Sequence, residues 1–371
     1  MLTVAQSWSH SGFPIDVVSG PAPQAVMANG QIRLLYELHI DNYASLPIDL
    51  TRIEIRSETG ALLANYEGDA LSNRVVPVQR LSGSSSPAEA KGNVKILDGH
   101  AAVVFIDLSF GPDVATPTEL HHRLSISVTR TNKPNYEDTV EAVTTTFPGT
   151  AFVLAYAPLR GKSWVAFNAL GAEDHRRSLN AFDGRERIPQ RFAIDWGRLG
   201  TDGRLFKGKG ASNADYYSYG SEVLAVADGR ISDLKDGFPD NDGQTNRDTR
   251  AITLDNVLGN YVVLDCGQSR FATYAHLKPG SIKVKIGDTI RAGQALGLLG
   301  NSGNSDAPHL HFQMTDGNSP LGSEGIPFAI HSFIQTAVLP KDSGFLDSGG
   351  AWRPGAADRS VTRHDEFPVD G

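Results

Sequence analysis

Pro308-His309-Leu310-His311-Phe312 places two imidazoles two residues apart. On a strand such a pair leaves one face while Leu310 and Phe312 turn to the core. Two neighbouring rings of this kind can hold a metal ion or move a proton, although a bare H-x-H also occurs among histidines that merely pack. The run before it, GNSGNSDAP (300–308), is glycine-rich, as suits a strand whose start is exposed at the floor of a groove. Tyr274-Ala275-His276-Leu277 offers a third imidazole, and alternation predicts that Tyr274 and His276 share a face. In Arg191-Phe192-Ala193-Ile194-Asp195-Trp196 the apolar Phe192, Ile194 and Trp196 face one way, so Asp195 is expected to look out with Ala193 and Arg191. The single cysteine, Cys266, can form neither an intramolecular disulfide nor a cysteine-based zinc site. Any metal must therefore rest on His, Asp or Glu.

The elements that must position these residues are strands. IRLLYELHI (32–40), LTRIEIRS (50–57), AAVVFIDLSF (101–110) and HRLSISVTR (122–130) alternate with period two between Gly, Ser, Pro, Asn and Asp clusters, which predicts an antiparallel β-sandwich over residues 1–147. His121 and His122 open one of these strands and point to opposite faces, so they cannot chelate one ion and read as structural. After the Pro- and Gly-punctuated 131–165 stretch, a second all-β domain is expected over 148–340. Its strands are QRFAIDW (190–196), SEVLAVADGRISDL (221–234), GNYVVLDCG (259–267), FATYAHL (271–277), LGLLGNSG (296–303) and PHLHFQM (308–314). Residues 341–371 are polar, Gly-rich and aperiodic and read as a poorly ordered or surface-laid tail.

Composition removes several function classes. With 371 residues the chain is long enough for two or three cored domains, and its formal charge of −8 comes with scattered rather than clustered basic residues. No nucleic acid is expected as a partner. No apolar run of 18 residues is present, so no membrane-spanning segment is expected, and MLTVAQSWSHSGFPID has neither the basic nor the apolar region of an export signal. Location must then follow from function. Asp240-Asn241-Asp242-Gly243 has the oxygen density of a calcium loop but lacks the glutamate an EF-hand needs, and reads as an acidic turn. His331, in an apolar run, is expected to pack in the core.

The ordered set GSEVLAVADGRI, GNYVVLD, YAHLKPGS, VKIGDTIRAGQALGLLGNSGNS and PHLHFQ resembles the lysostaphin/LytM-type zinc endopeptidases over about residues 190–315. GDTIRAGQ alone also resembles the hairpin of biotinyl and lipoyl carriers, but the modifiable lysine those need is missing. The family resemblance implies an antiparallel β-sheet peptidase domain that cuts peptide bonds in peptidoglycan cross-links. It also implies a zinc site built from an H-x-x-x-D pair and the second histidine of H-x-H. Carried over, His311 and Asp195 become ligands, His309 serves the attacking water and His276 the oxyanion. One position departs from the pattern, because Arg191 stands where the first histidine belongs, and a guanidinium has no lone pair to give a metal. We expect His175, in AEDHRRS, to replace it. The alternative ligand pair is Asn213 and Asp215, ranked lower because Asn binds zinc poorly.

The expectation is thus an all-β chain with an N-terminal sandwich and a lysostaphin/LytM-like domain, acting as a zinc-dependent peptidoglycan endopeptidase in the cell envelope or outside the cell. Its partners are peptidoglycan peptides, with the sandwich as a candidate intramolecular partner. The rival is a degenerate chain that binds peptidoglycan or activates a partner hydrolase without cutting, and Arg191 is the residue that supports it.

Overall fold

Burying the apolar face of alternating strands requires a second sheet or an equivalent cover, and each half of this chain solves the problem separately. The computed structural model describes residues 12–28, 30–78, 94–130, 132–146, 152–170, 173–243, 251–335 and the strand Ser360–Val361. They fall into two compact units, Met1–Thr150 and Ala151–Gly371.

The first unit is a sandwich of two five-stranded antiparallel sheets. One runs Ile15–Ser19, Gln31–Asn42, Ala101–Phe110, Val75–Val78, with Ala25–Ala28 beside Gln31–Asn42. The other runs Tyr136–Thr145, Glu119–Val128, Ile48–Ser57, Leu62–Glu67, with Val94–Ile96 beside Ile48–Ser57. Leu34, Tyr36, Leu38 and Ile40 meet Leu50, Ile53, Leu124 and Ile126 in one core. A bulge between Leu50 and Arg52 shifts the parity of its strand, which is why the buried positions there run Ile48, Leu50, Ile53, Ile55. His121 lies outside while the buried His122 meets the Tyr36 hydroxyl at 2.8 Å.

The second unit is built on a seven-stranded antiparallel sheet ordered Trp164–Phe167, Ile194–Arg198, Leu310–Thr315, Phe271–Leu277, Asn260–Asp265, Gly229–Lys235, Thr289–Ile290. A short parallel pair, Phe152–Leu154 with Phe328–Ile330, forms a separate two-stranded sheet. Its apolar face packs Tyr274, Phe312 and Phe328, with ring centroids 5.3 Å and 5.1 Å apart along the series. On the other face the register aligns Asp195, His311 and Ala275 across three neighbouring strands. Cross-strand partners share a face, so this row places the polar side chains together.

Three expectations need correction. The strand expected over 190–196 begins only at Ile194, because Arg191 and Ala193 donate their N–H groups to Ile188 and Gln190 in a turn. Arg191 therefore does not look out beside Asp195; it is buried. His331 is exposed rather than in the core. Of the expected tail, only Ser360–Val361 is among the described residues, paired with Ile334–Gln335. No helix among the described residues is long and apolar enough to cross a membrane.

Candidate active site

His311 and Asp195 stand opposite each other in the sheet, with His311 Nδ1 2.9 Å from Asp195 Oδ1. His175 reaches them from the one-turn helix Glu173–Arg176, its Nε2 3.2 Å from Asp195 Oδ2. One ligand atom from each of His175, Asp195 and His311 lies within 4.8 Å of the others, and all three residues are buried. The structure thus brings together the three residues singled out as ligands. Arg191 is turned elsewhere: it donates to Glu324 Oε2 and to the Gly325 carbonyl, both at 2.9 Å.

The hydrogen bonds behind the rings fix their tautomers. Gln313 donates its amide to the Pro320 carbonyl, so its Oε1 faces His311 Nε2 and takes that proton. His175 donates from Nδ1 to the Asn168 carbonyl at 2.9 Å. A carbonyl only accepts, so the neutral rings keep their lone pairs on His311 Nδ1 and His175 Nε2, both aimed at one carboxylate. Two lone pairs facing an anion need either protons or a metal ion among them. The donor set, two imidazole nitrogens and a carboxylate oxygen with ordered outer partners, fits a zinc ion.

Among themselves the charges of the cluster also pair. Burial would push the Asp195 carboxyl up, but His175 and His309 outweigh it and hold the group well below the usual range. Burial likewise opposes charge on His175 and His309, yet the Asp195 carboxylate raises both.

His309 precedes the Leu310–Thr315 strand and donates from Nδ1 to the Ala307 carbonyl at 2.8 Å, with Nε2 3.5 Å from Asp195 Oδ1. His276 arrives by a route that alternation does not give. Ala275 and His276 together stand opposite the single residue Tyr261, a bulge in which His276 takes φ +60°. The bulge separates His276 from Tyr274: Tyr274 stays in the core against Phe312, while the His276 ring centroid lies 4.7 Å from that of His309 and 5.8 Å from that of His311. The expected shared face is overturned, and a left-handed non-glycine residue, costing about 1 kcal/mol, is what delivers the third imidazole. His276 Nδ1 donates to the Ser302 carbonyl at 2.8 Å, and burial, reinforced by His309 and His311, holds its pKa well below normal.

These carbonyls belong to the 300–307 loop, which an asparagine knot secures. Asn213 donates to the Asn241 carbonyl and accepts from Gly243 and Asn301, while Asn241 donates to the Gly303 and Ser305 carbonyls. Asp215 caps its own turn by accepting from the Ser212 N–H. Neither Asn213 nor Asp215 lines the pocket that holds the histidines. Asp240, in the expected acidic turn, accepts from the Asn301 N–H and the Tyr219 hydroxyl.

That pocket, about 660 Å³, has the imidazoles on one side and Ile252, Leu254, Val257, Leu258 and Leu321 on another, with no Lys or Arg among its described lining residues. Sequence reasoning missed Asn168, Gln313 and the carbonyls of Ser302 and Ala307. Only Gln313 left a trace, since it continues the polar face of H-x-H by two residues.

The site and sheet define a candidate metallopeptidase centre, and comparison with known proteins agrees. Residues 214–322 match the family model described as Peptidase family M23. The matched stretch contains His276, His309 and His311 but ends short of His175 and Asp195 on the N-terminal side. The peptidoglycan DD-endopeptidase ShyA of Vibrio cholerae is 38% identical over 73 residues, 19% of this chain and 16% of that protein. Lysostaphin of Staphylococcus staphylolyticus is 34% identical over 83 residues, 22% of this chain and 15% of that protein. This chain therefore matches under a fifth of the length of either relative. Among solved structures, the catalytic domain of a mutant of the prophage-encoded M23 protein EnpA from Enterococcus faecalis aligns over 47% of this chain and 95% of its own, at 20% identity and TM-score 0.28. The resemblance to lysostaphin/LytM-type endopeptidases is borne out.

Proposed function

We propose that the second unit is a zinc-dependent endopeptidase that hydrolyses peptide bonds in peptidoglycan cross-links, in the cell envelope or outside the cell. The observation that carries this reading is the convergence of His175 Nε2, Asp195 and His311 Nδ1, with each imidazole's other nitrogen spent on a fixed acceptor. These three residues would hold the ion. When bound, zinc supplies Lewis acidity toward a carbonyl oxygen and lowers the pKa of water toward about 7.

The remaining work falls to two histidines. His309, with Nδ1–H on the Ala307 carbonyl, presents Nε2 as a base, takes a proton from the attacking water and returns it to the amine nitrogen that leaves as the C–N bond breaks. His276 starts neutral with its proton on Nδ1, so its Nε2 begins as an acceptor. It would donate to the tetrahedral oxyanion only after taking a proton from solvent, which the negative charge developing beside it favours, a donor worth roughly 3 kcal/mol in comparable sites. The apolar part of the lining, Val257, Leu258 and Leu321, would limit water beside the reacting peptide. Arg191 need not count against this reading: its guanidinium pairs with Glu324 and the Gly325 carbonyl, and His175 lies within 3.2 Å of Asp195 to serve as the third ligand.

The test incubates zinc-loaded protein with purified sacculi and cross-linked peptides and follows new amino termini. Cleavage that chelator abolishes and zinc restores is the expected result. Binding without chelator-sensitive cleavage on any cross-link overturns the reading in favour of a non-cutting peptidoglycan binder.

A further inference from the structure

Asn168 touches two of the three candidate ligands at once. Its side-chain Nδ2 donates to Asp195 Oδ2 at 2.9 Å, and its main-chain carbonyl accepts from His175 Nδ1 at 2.9 Å. Its place in the fold explains how one residue can do both. The edge strand Trp164–Phe167 pairs with Ile194–Arg198 so that Phe167 lies opposite Asp195. The chain leaves that strand at the next residue, Asn168, with φ +50°. This left-handed turn aims the carbonyl at the Glu173–Arg176 turn while the side chain reaches back to the sheet.

Few residue types meet both demands. Asn tolerates the left-handed region and carries an amide donor; Gly tolerates it without a donor, and Ala offers neither. A ligand brought in from outside the main sheet, as His175 is, needs a substitute for the backbone registration that a strand neighbour would enjoy.

We propose that Asn168 is the positioning residue that makes the displaced ligand His175 serviceable: its carbonyl, with the more distant Ala193 carbonyl at 3.4 Å, holds the tautomer that leaves His175 Nε2 free for the ion, and its side chain holds Asp195 Oδ2 beside it. This rests on the zinc reading above. Asn168 touches no reacting atom; it acts through His175 and Asp195.

Two variants separate its two contacts. Asn168→Gly keeps the backbone conformation and the carbonyl but deletes the donor to Asp195. Asn168→Ala deletes the donor and disfavours the conformation that aims the carbonyl. Zinc affinity is read by competition with a chromogenic chelator, and folding by the thermal midpoint of the metal-free chains. The expected result is zinc binding about tenfold weaker for Asn168→Gly and up to about a hundredfold weaker for Asn168→Ala, the range typical of lost outer partners. The metal-free Gly variant should still fold, with a midpoint lowered only by the lost hydrogen bond to Asp195. A purely structural residue would lower the midpoint and leave the affinity of the folded protein unchanged. Wild-type affinity in Asn168→Gly, or failure of both variants to fold without metal, overturns the assignment. Failure of the wild-type chain to take up zinc fells the zinc reading itself, and this assignment with it, which tells the two failures apart.

Discussion

The two histidines of H-x-H sit two residues apart yet are tied to different partners, and their loss should be distinguishable. His311 faces Asp195 with its outer nitrogen on Gln313, so His311→Ala is expected to lose both zinc and turnover. His309→Ala should keep the metal and lose turnover by roughly 10²- to 10⁴-fold, the usual worth of a positioned base. Metal content by elemental analysis beside cleavage rate checks both, and equal zinc loss would contradict the division of roles. Arg191 gives a sharper test of the displaced ligand. Because its side chain is committed to Glu324 and Gly325, Arg191→His should not improve zinc affinity. It should instead destabilise the fold, by less than the about 3–5 kcal/mol of a buried carboxylate left wholly unpaired, because Arg187 and the Ile188 N–H still reach Glu324. Thermal denaturation and zinc titration of that variant decide the matter, and tighter zinc binding would mean that the side chain can reach the site.

Elements position these residues through close backbone contacts as much as through strand pairing. Gly259 has φ +60°, and a Cβ there would lie 2.5 Å from the Ser302 carbonyl carbon. Ser302 in turn supplies the carbonyl that holds His276. Gly259→Ala should therefore displace the 300–307 loop, lowering kcat/KM and stability while His175, Asp195 and His311 still bind zinc. Peptidase assays at saturating zinc check this, and an unchanged rate would show that the loop absorbs the shift. The strands themselves were legible because alternation is a local signal: Ala101–Phe110 and Phe271–Leu277 fall where the pattern put them. His311 and Asp195 were legible for the same reason, since alternation turns each away from the apolar neighbours of its own strand, Leu310 and Phe312 or Ile194. The position of His276 on the pocket side was not, because a bulge depends on what the partner strand does at Tyr261, and alternation within one strand carries no record of that. Arg191 misled for a related reason. Its apolar neighbours continue the strand pattern backward, while the backbone has already turned to satisfy Ile188 and Gln190. Asn168 left no trace because its role comes from a left-handed φ rather than from spacing.

At the scale of the whole molecule, each unit carries its own buried histidine chemistry. In the sandwich, burial, only partly offset by the Ala142 carbonyl, pushes His122 down to about 4, so it folds as a neutral ring. An unfolded histidine titrates near 6.5, so between these values the unfolded chain binds more protons than the folded one, and stability falls as pH drops. The loss should approach roughly 3 kcal/mol by pH 4. His122→Gln should flatten that part of the acid profile of the thermal midpoint, and an unchanged slope would assign the acid sensitivity to other groups. The second unit bears on how such an enzyme can be shortened or transplanted. Two of its three candidate ligands come from chain segments that precede the recognisable 214–322 stretch. On the zinc reading, a fragment cut at that border would keep His276 and His309 yet lack two of the three residues proposed to hold the ion. The portable piece of this protein begins upstream of Trp164, with the edge strand that leads into Asn168. A search that recognises only the shared stretch would mistake half of an interdependent assembly for the whole.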